Sequence, residues 1–165
     1  MSGSRILAAG LLALLPAGLW AQGAEVGFGS IQADPYAPVE VTADNLNVNQ
    51  DDGTALFTGG VVVGQGEMRL SAPRVLVVYT ENRSGIDRLE ARGGVTLVSG
   101  EEAAEGENAD YDVSEGVIVM TGNVLLTSGG SALTADRMVA DLNEGTARMT
   151  GRVKTVIQQQ QGTDE

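Results

Sequence analysis

The sequence of 165 residues contains no cysteine and no histidine. Without cysteine there is no disulfide framework and no thiol nucleophile. Without histidine the usual proton carrier near neutral pH is missing. Zinc, copper and haem sites lose their common ligands with both, so no metal site and no cofactor is expected. Ser-His-Asp and Cys-His nucleophile arrangements are excluded. A pair of carboxylates could still act as in a glycosidase, but no acidic motif stands out from a generally acidic chain. The reading is a binding protein, not an enzyme. Positive charge is also scarce: 10 Lys and Arg stand against 22 Asp and Glu, a net charge of −12. Nucleic-acid binding depends on neutralising phosphates, so no nucleic-acid partner is expected.

Long hydrophobic runs are absent except at the start. Arg5 precedes an apolar run of 14 residues from Ile6 to Leu19, short for a membrane span. Leu19-Trp20-Ala21 offers a cleavage site, with Ala24 as a second choice. Residues 1–21 are read as a secretory signal peptide, the alternative being an uncleaved anchor. Its removal leaves 9 basic against 22 acidic residues, or −13. An exported chain without cysteine suits a bacterial periplasm. Residues 22–37 are read as a flexible leader, 38–157 as a β-rich body, and 158–165 (QQQQGTDE) as a disordered tail.

The body shows period-two alternation and no sustained helical period. Val39 and Val41 alternate with polar residues. So do Met68, Leu70 and Ala72, then Val75, Val77 and Tyr79, then Val95 and Leu97, then Tyr111 and Val113. Glycine numbers 23, about twice the usual share of roughly 7%. Four segments share one layout. Each opens with Ala and a polar or Pro residue (Ala43-Asp44, Ala72-Pro73, Ala109-Asp110, Ala135-Asp136). Each then reaches a turn dipeptide (Asp52-Gly53, Ser84-Gly85, Glu115-Gly116, Glu144-Gly145). Each closes on Gly-x-Val, beginning at Gly59, Gly93, Gly122 and Gly151. A glycine at a fixed place in a strand path marks a bulge or sharp bend. Four such bends predict a curled sheet, or two facing sheets, around an aliphatic interior. That interior is either an ordinary core or a slot for methylene chains, each buried CH₂ contributing about 0.8 kcal/mol.

Smaller features read blandly. Asp51-Asp52-Gly53 lacks the spacing of a calcium loop and is read as hairpin turn chemistry. Gly64-Gln65-Gly66 is read as a turn, and the acidic run Glu101 to Asp112 as a solvated connection. Arg69, Arg74, Arg88 and Arg92 form the one basic cluster. It is read as countercharge, with phosphate pairing as the alternative.

The stretch PVEVTADNLNVNQDDGTALFTGGVVVGQGEMRLSAPRVLVV, Pro38 to Val78, resembles the OstA-type domain of the LptA family of periplasmic lipopolysaccharide transport proteins. Pro38 to Asp44, Phe57-Thr58-Gly59-Gly60-Val61, Gln65-Gly66 and Met68 to Arg74 carry the likeness. A second block runs from Tyr111 to Leu126 and includes Met120-Thr121-Gly122-Asn123-Val124. The same domain occurs in LptC, behind a membrane anchor, and at the N-terminus of the outer-membrane barrel protein LptD. A cleavable leader before one such domain is the layout of the LptA type.

The resemblance implies an all-β, twisted β-jellyroll of repeated antiparallel hairpins, open at both ends, holding lipid A acyl chains. It implies lipid-contact positions at Val39, Leu97, Tyr111 and Val113. Val41 and Val95 share their alternating faces. It also implies head-to-tail self-association. Its implied partners are an LptC-like inner-membrane protein and the N-terminal domain of an LptD-like outer-membrane protein, joined in a bridge for lipopolysaccharide export. The competing expectation is an oligomerising periplasmic β scaffold without lipid cargo.

Overall fold

The computed structural model describes Ala24–Gly27 and residues 37–156. The expected signal peptide and C-terminal tail lie outside the described residues. Eleven strands follow one another: β1 (Ala24–Gly27), β2 (Glu40–Thr42), β3 (Asn45–Asn49), β4 (Thr54–Gln65), β5 (Met68–Tyr79), β6 (Ile86–Ser99), β7 (Glu102–Asp112), β8 (Val117–Ser128), β9 (Ser131–Asp141), β10 (Thr146–Thr150) and β11 (Lys154–Val156). There is no helix among the described residues. All pairings are antiparallel. The sheet runs β1-β10-β9-β8-β7-β6-β5-β4-β2, with β3 also on β4 and β11 also on β9. From β3 to β10 this is an unclosed meander in which neighbours in space are neighbours in sequence, while β1, β2 and β11 pair with the non-consecutive strands β10, β4 and β9. β1 lies inside the stretch that composition reads as a leader.

The long strands do not run straight. Each pairing between β4 and β9 breaks register near its middle, between Thr58 and Val61, Ser71 and Arg74, Arg92 and Val95, Glu105 and Asn108, and Thr121 and Val124. β4, β6 and β8 each spend two residues where the strand that follows spends one. Gly59-Gly60 face Pro73, Gly93-Gly94 face Glu107, and Gly122-Asn123 face Asp136. These breaks line up across the sheet and fold it in two.

The four Gly-x-Val motifs sit on this line. Both residues of each Gly-x pair have positive φ: Gly59 and Gly60 at 84° and 51°, Gly93 and Gly94 at 94° and 96°, Gly122 and Asn123 at 83° and 48°, Gly151 and Arg152 at 78° and 47°. The first position has a second reason to be glycine. A Cβ on Gly59, Gly122 or Gly151 would lie 2.6, 2.7 or 2.5 Å from the side chain of Asp44, Glu107 or Asp136. The second position is open. Asn, which tolerates this region, and Arg fill it in the last two units. They tie the corner down: Asn123 Nδ2 donates to Glu107 Oε1 at 2.9 Å, and Arg152 Nη2 to Asp136 Oδ1 at 2.5 Å. The Arg152 guanidinium holds the Asp136 carboxyl below its ordinary value.

In the third unit the residue over the corner glycine is Glu107. One reading of the sequence needs correction. The acidic run from Glu101 to Asp112 is not a solvated connection. It forms β7 in the middle of the sheet, with Glu102, Ala104, Ala109 and Tyr111 buried. Alanine and acidic residues have little strand preference. Here the alternation, and neighbours on both sides, decide.

The corner predicts a contrast between adjacent glycines. Gly122→Ala is expected to destabilise by about 1–3 kcal/mol, through positive φ and the clash with Glu107. Gly60→Asn, a change to the residue found at the same place in the third unit, is expected to cost far less. Denaturant midpoints of the two variants give the comparison.

Candidate functional site

The fold line divides the sheet into two half-sheets. One contains β2, β11 and the strand segments 61–65, 68–72, 95–99, 102–106, 124–128 and 131–135. The other contains β3, β10, β1 and the remaining segments of β4 to β9. Each half buries one face. The first supplies Val61, Val63, Met68, Leu70, Val95, Leu97, Ala104, Val124 and Leu126; the second supplies Ala55, Val75, Val77, Leu89, Tyr111, Ile118, Met120, Met138 and Met149. They belong to one cluster, so the inward faces enclose a single aliphatic layer. Tyr111 is 2% exposed, and its hydroxyl donates to Gln65 Oε1 at 2.7 Å. This hydrogen bond joins the ends of β7 and β4 from opposite halves. It lies away from the corner, where the halves would otherwise part.

The expected site residues all face this layer, in two groups. Val95, Leu97 and Tyr111 are fully buried. Val39, Val41 and Val113 are partly buried against the same cluster. Val39 precedes β2 and Val113 follows β7. Leu97 lies opposite Leu70 and Ala104, and Tyr111 opposite Leu89 and Ile118. Val41 pairs with buried Val63 on the outermost strand.

The first end of the layer is uncovered. Leu46 and Val48 of β3 pair with Phe57 and Ala55. Directly paired residues share a face, so both point inward, yet each is 56% exposed. The interior therefore reaches solvent at this edge. At the other end β1 pairs with β10 beside Ala147 and Met149, and β11 pairs with β9. Leu46 and Val48 were visible as Asn-Leu-Asn-Val-Asn, an alternation that says nothing about exposure. Gln65 was read as part of a turn. It is the buried end of β4, and no sequence signal reveals its partner 46 residues away.

The outward faces are polar. Arg88 pairs with Glu90 at 3.1 Å and Arg92 with Asp110 at 2.6 Å, which supports the countercharge reading for these two. Arg69 donates to the carbonyls of Gly66 and Met68 at 2.6 and 2.8 Å. Arg74 stands opposite Arg92. Asp51 and Asp52 are held by Asn49 within the turn: both backbone amides donate to its Oδ1, at 3.0 and 3.3 Å.

Residues 40–146 match the family described as LptA/(LptD N-terminal domain) LPS transport protein. The chain belongs to this family. The family so described is one of lipopolysaccharide transport proteins, carriers rather than enzymes. The folded-over meander is an LptA-like β-jellyroll. The crystal structure of LptH from Pseudomonas aeruginosa, the LptA homologous periplasmic component of a lipopolysaccharide transport device, superposes with a TM-score of 0.70 at 20% identity. The match covers 77% of this chain and 99% of that one. An uncharacterized protein of Rhizobium meliloti (strain 1021) is 29% identical over 116 residues, 66% of this chain; the match spans 62% of that relative's length.

The Tyr111–Gln65 bond yields a prediction with a pH signature. Tyr111→Phe leaves Gln65 Oε1 without its donor and is expected to cost about 1–3 kcal/mol. Burial pushes the Tyr111 hydroxyl up to about 12, above an unfolded value of roughly 10. The folded state therefore holds this proton more tightly. That contribution is complete below about pH 10 and is lost as the pH rises toward 12. Denaturation curves at several alkaline pH values should show this loss in the wild type and not in Tyr111→Phe.

Proposed function

We propose that the chain is an exported periplasmic carrier that holds lipid A acyl chains between its half-sheets and passes lipopolysaccharide along a bridge between the two membranes. The observation that carries this reading is the aliphatic layer that surfaces at Leu46 and Val48. A closed core has no reason to leave two inward-facing branched side chains 56% exposed, whereas a conduit must meet the next segment there. Val39, Val41, Val95, Leu97, Tyr111 and Val113 are the proposed lipid contacts. The interior is tightly packed, so acyl chains enter only where the halves separate, and the Tyr111–Gln65 bond is the contact to be released.

The terminal strands supply the means of assembly. Among the described residues β2 and β3 at one end, and β1 and β11 at the other, are the edges of the sheet and offer their outer backbone groups to an incoming strand. Head-to-tail copies of this chain, an LptC-like domain and the N-terminal domain of an LptD-like protein are the proposed neighbours. The net charge of −12 favours recognition of acyl chains over phosphorylated headgroups. The dense packing of Val61, Val63 and Leu97, each 0% exposed, favours the second reading, an oligomerising β scaffold without cargo.

A photo-crosslinking residue at position 97 separates the two. The carrier reading expects capture of lipopolysaccharide by the purified, folded protein, and absence of capture leaves the scaffold reading. Leu46→Asp puts a charge on the exposed inward face without disturbing the buried layer. It is expected to weaken lipopolysaccharide binding roughly tenfold or more. Val98→Asp, on the outward face beside Leu97, is expected to leave binding unchanged.

A further inference from the structure

Few polar side chains point into the aliphatic layer, and one is incompletely paired. Glu102 is the first residue of β7 and is 4% exposed. It lies opposite Ser99 of β6, on the inward face that continues to Ala104, which in turn faces Leu97 and Leu126. One oxygen of its carboxyl, Oε1, accepts from Ser128 Oγ at 3.0 Å. The other, Oε2, is buried with no hydrogen-bond partner among the described residues. An unmade hydrogen bond at a buried acceptor costs about as much as the desolvation it suffered. Native structures rarely keep one without a reason.

The surroundings limit what can complete it. The group must donate a hydrogen bond, since a carboxylate oxygen accepts. It must arrive through a layer of Ala and Leu side chains, so it must be carried on an aliphatic chain. A cationic donor would need far more desolvation than a single half-used carboxylate returns; a hydroxyl would not. Glu102 also sits beside the Gly100-Glu101 hairpin, at the rim of the layer. The donor therefore belongs near the polar end of the chain rather than at its methyl end.

We infer that Glu102 and Ser128 form a polar subsite of the slot that selects acyl chains bearing a hydroxyl near their polar end, the hydroxyl donating to Glu102 Oε2. The inference rests on the slot reading and adds to it a preference among acyl chains. The preference is for chemistry, so a free hydroxy acid and a hydroxyacyl chain amide-linked to a sugar share it.

The test compares β-hydroxymyristoyl-glucosamine with myristoyl-glucosamine, and free β-hydroxymyristate with myristate, in binding to the wild-type chain. The hydroxylated partner of a pair is expected to bind roughly tenfold tighter, the worth of one hydrogen bond to a charged group. Preference in the glucosamine pair alone assigns a sugar-linked chain, and preference in the free acids assigns a fatty acid; both support the subsite. Glu102→Leu is expected to abolish the preference while retaining binding of myristoyl-glucosamine. The substitution removes Oε1, the acceptor of Ser128 Oγ, together with the unpaired Oε2, so folding of the variant is checked by its denaturant midpoint. Glu102→Gln, which keeps the shape and one carbonyl acceptor, should retain part of the preference. Equal binding of both members of each pair by the wild type overturns the inference and leaves the slot intact. So does a preference that survives in Glu102→Leu. Binding of none of the four probes removes the slot reading itself.

Discussion

The rest of the structure depends on a backbone constraint: two consecutive residues in the left-handed region, repeated at the same height in successive hairpins. A strand of 12 residues spans roughly 40 Å, and a flat sheet of such strands would leave one whole face wet. The Gly-x pairs at 59, 93, 122 and 151 convert that face into two facing halves. Burial on both inward faces follows from the fold line. The strain is local and offset locally. The first residue of each pair is glycine, with an acidic or proline side chain packed over its Cα in all four units. The second is glycine, Asn or Arg, and where it has a side chain it bonds that same acidic residue.

With the halves facing each other, the chemistry of the interior is set by what alternation puts there. Most inward residues are aliphatic, and the few polar ones are consequential. Tyr111 and Gln65 link the two halves across the side away from the corner. Glu102 and Ser128 occupy the start of β7 and the end of β8, with one acceptor left over. A layer that is apolar, folded along one line and linked away from it by the Tyr111–Gln65 hydrogen bond is consistent with the proposed carrier role. On the acidic outer surface Arg88, Arg92 and Arg152 are paired with carboxylates, while Arg69 donates to backbone carbonyls.

Legibility from sequence followed the range of each interaction. Val95, Leu97 and Tyr111 were readable as inward because alternation is a property of three or four adjacent residues. The corners were readable because glycine recurred at nearly constant spacing. Glu101 to Asp112 was misread because its composition argues for solvent, while its place between β6 and β8 gives its backbone two partners. Gln65 was misread because the residue that explains it lies 46 positions away. The third hairpin shows the same effect at shorter range: Ala109-Asp110 fits the repeat in sequence, but strand register sets Glu107 over Gly122.

By itself the sequence determined that the chain is all-β, that it lacks the side chains for thiol or histidine chemistry, that it bends at four Gly-x-Val sites, and which alternating face of most strands is apolar. These follow from local sterics and composition, which act between neighbours. Only the tertiary structure decided that the bends align into one fold line, that Leu46 and Val48 face inward yet stay open to solvent, and that Glu102 Oε2 has no partner among the described residues. Each of these depends on the register between strands, and register is a long-range agreement that no single segment contains.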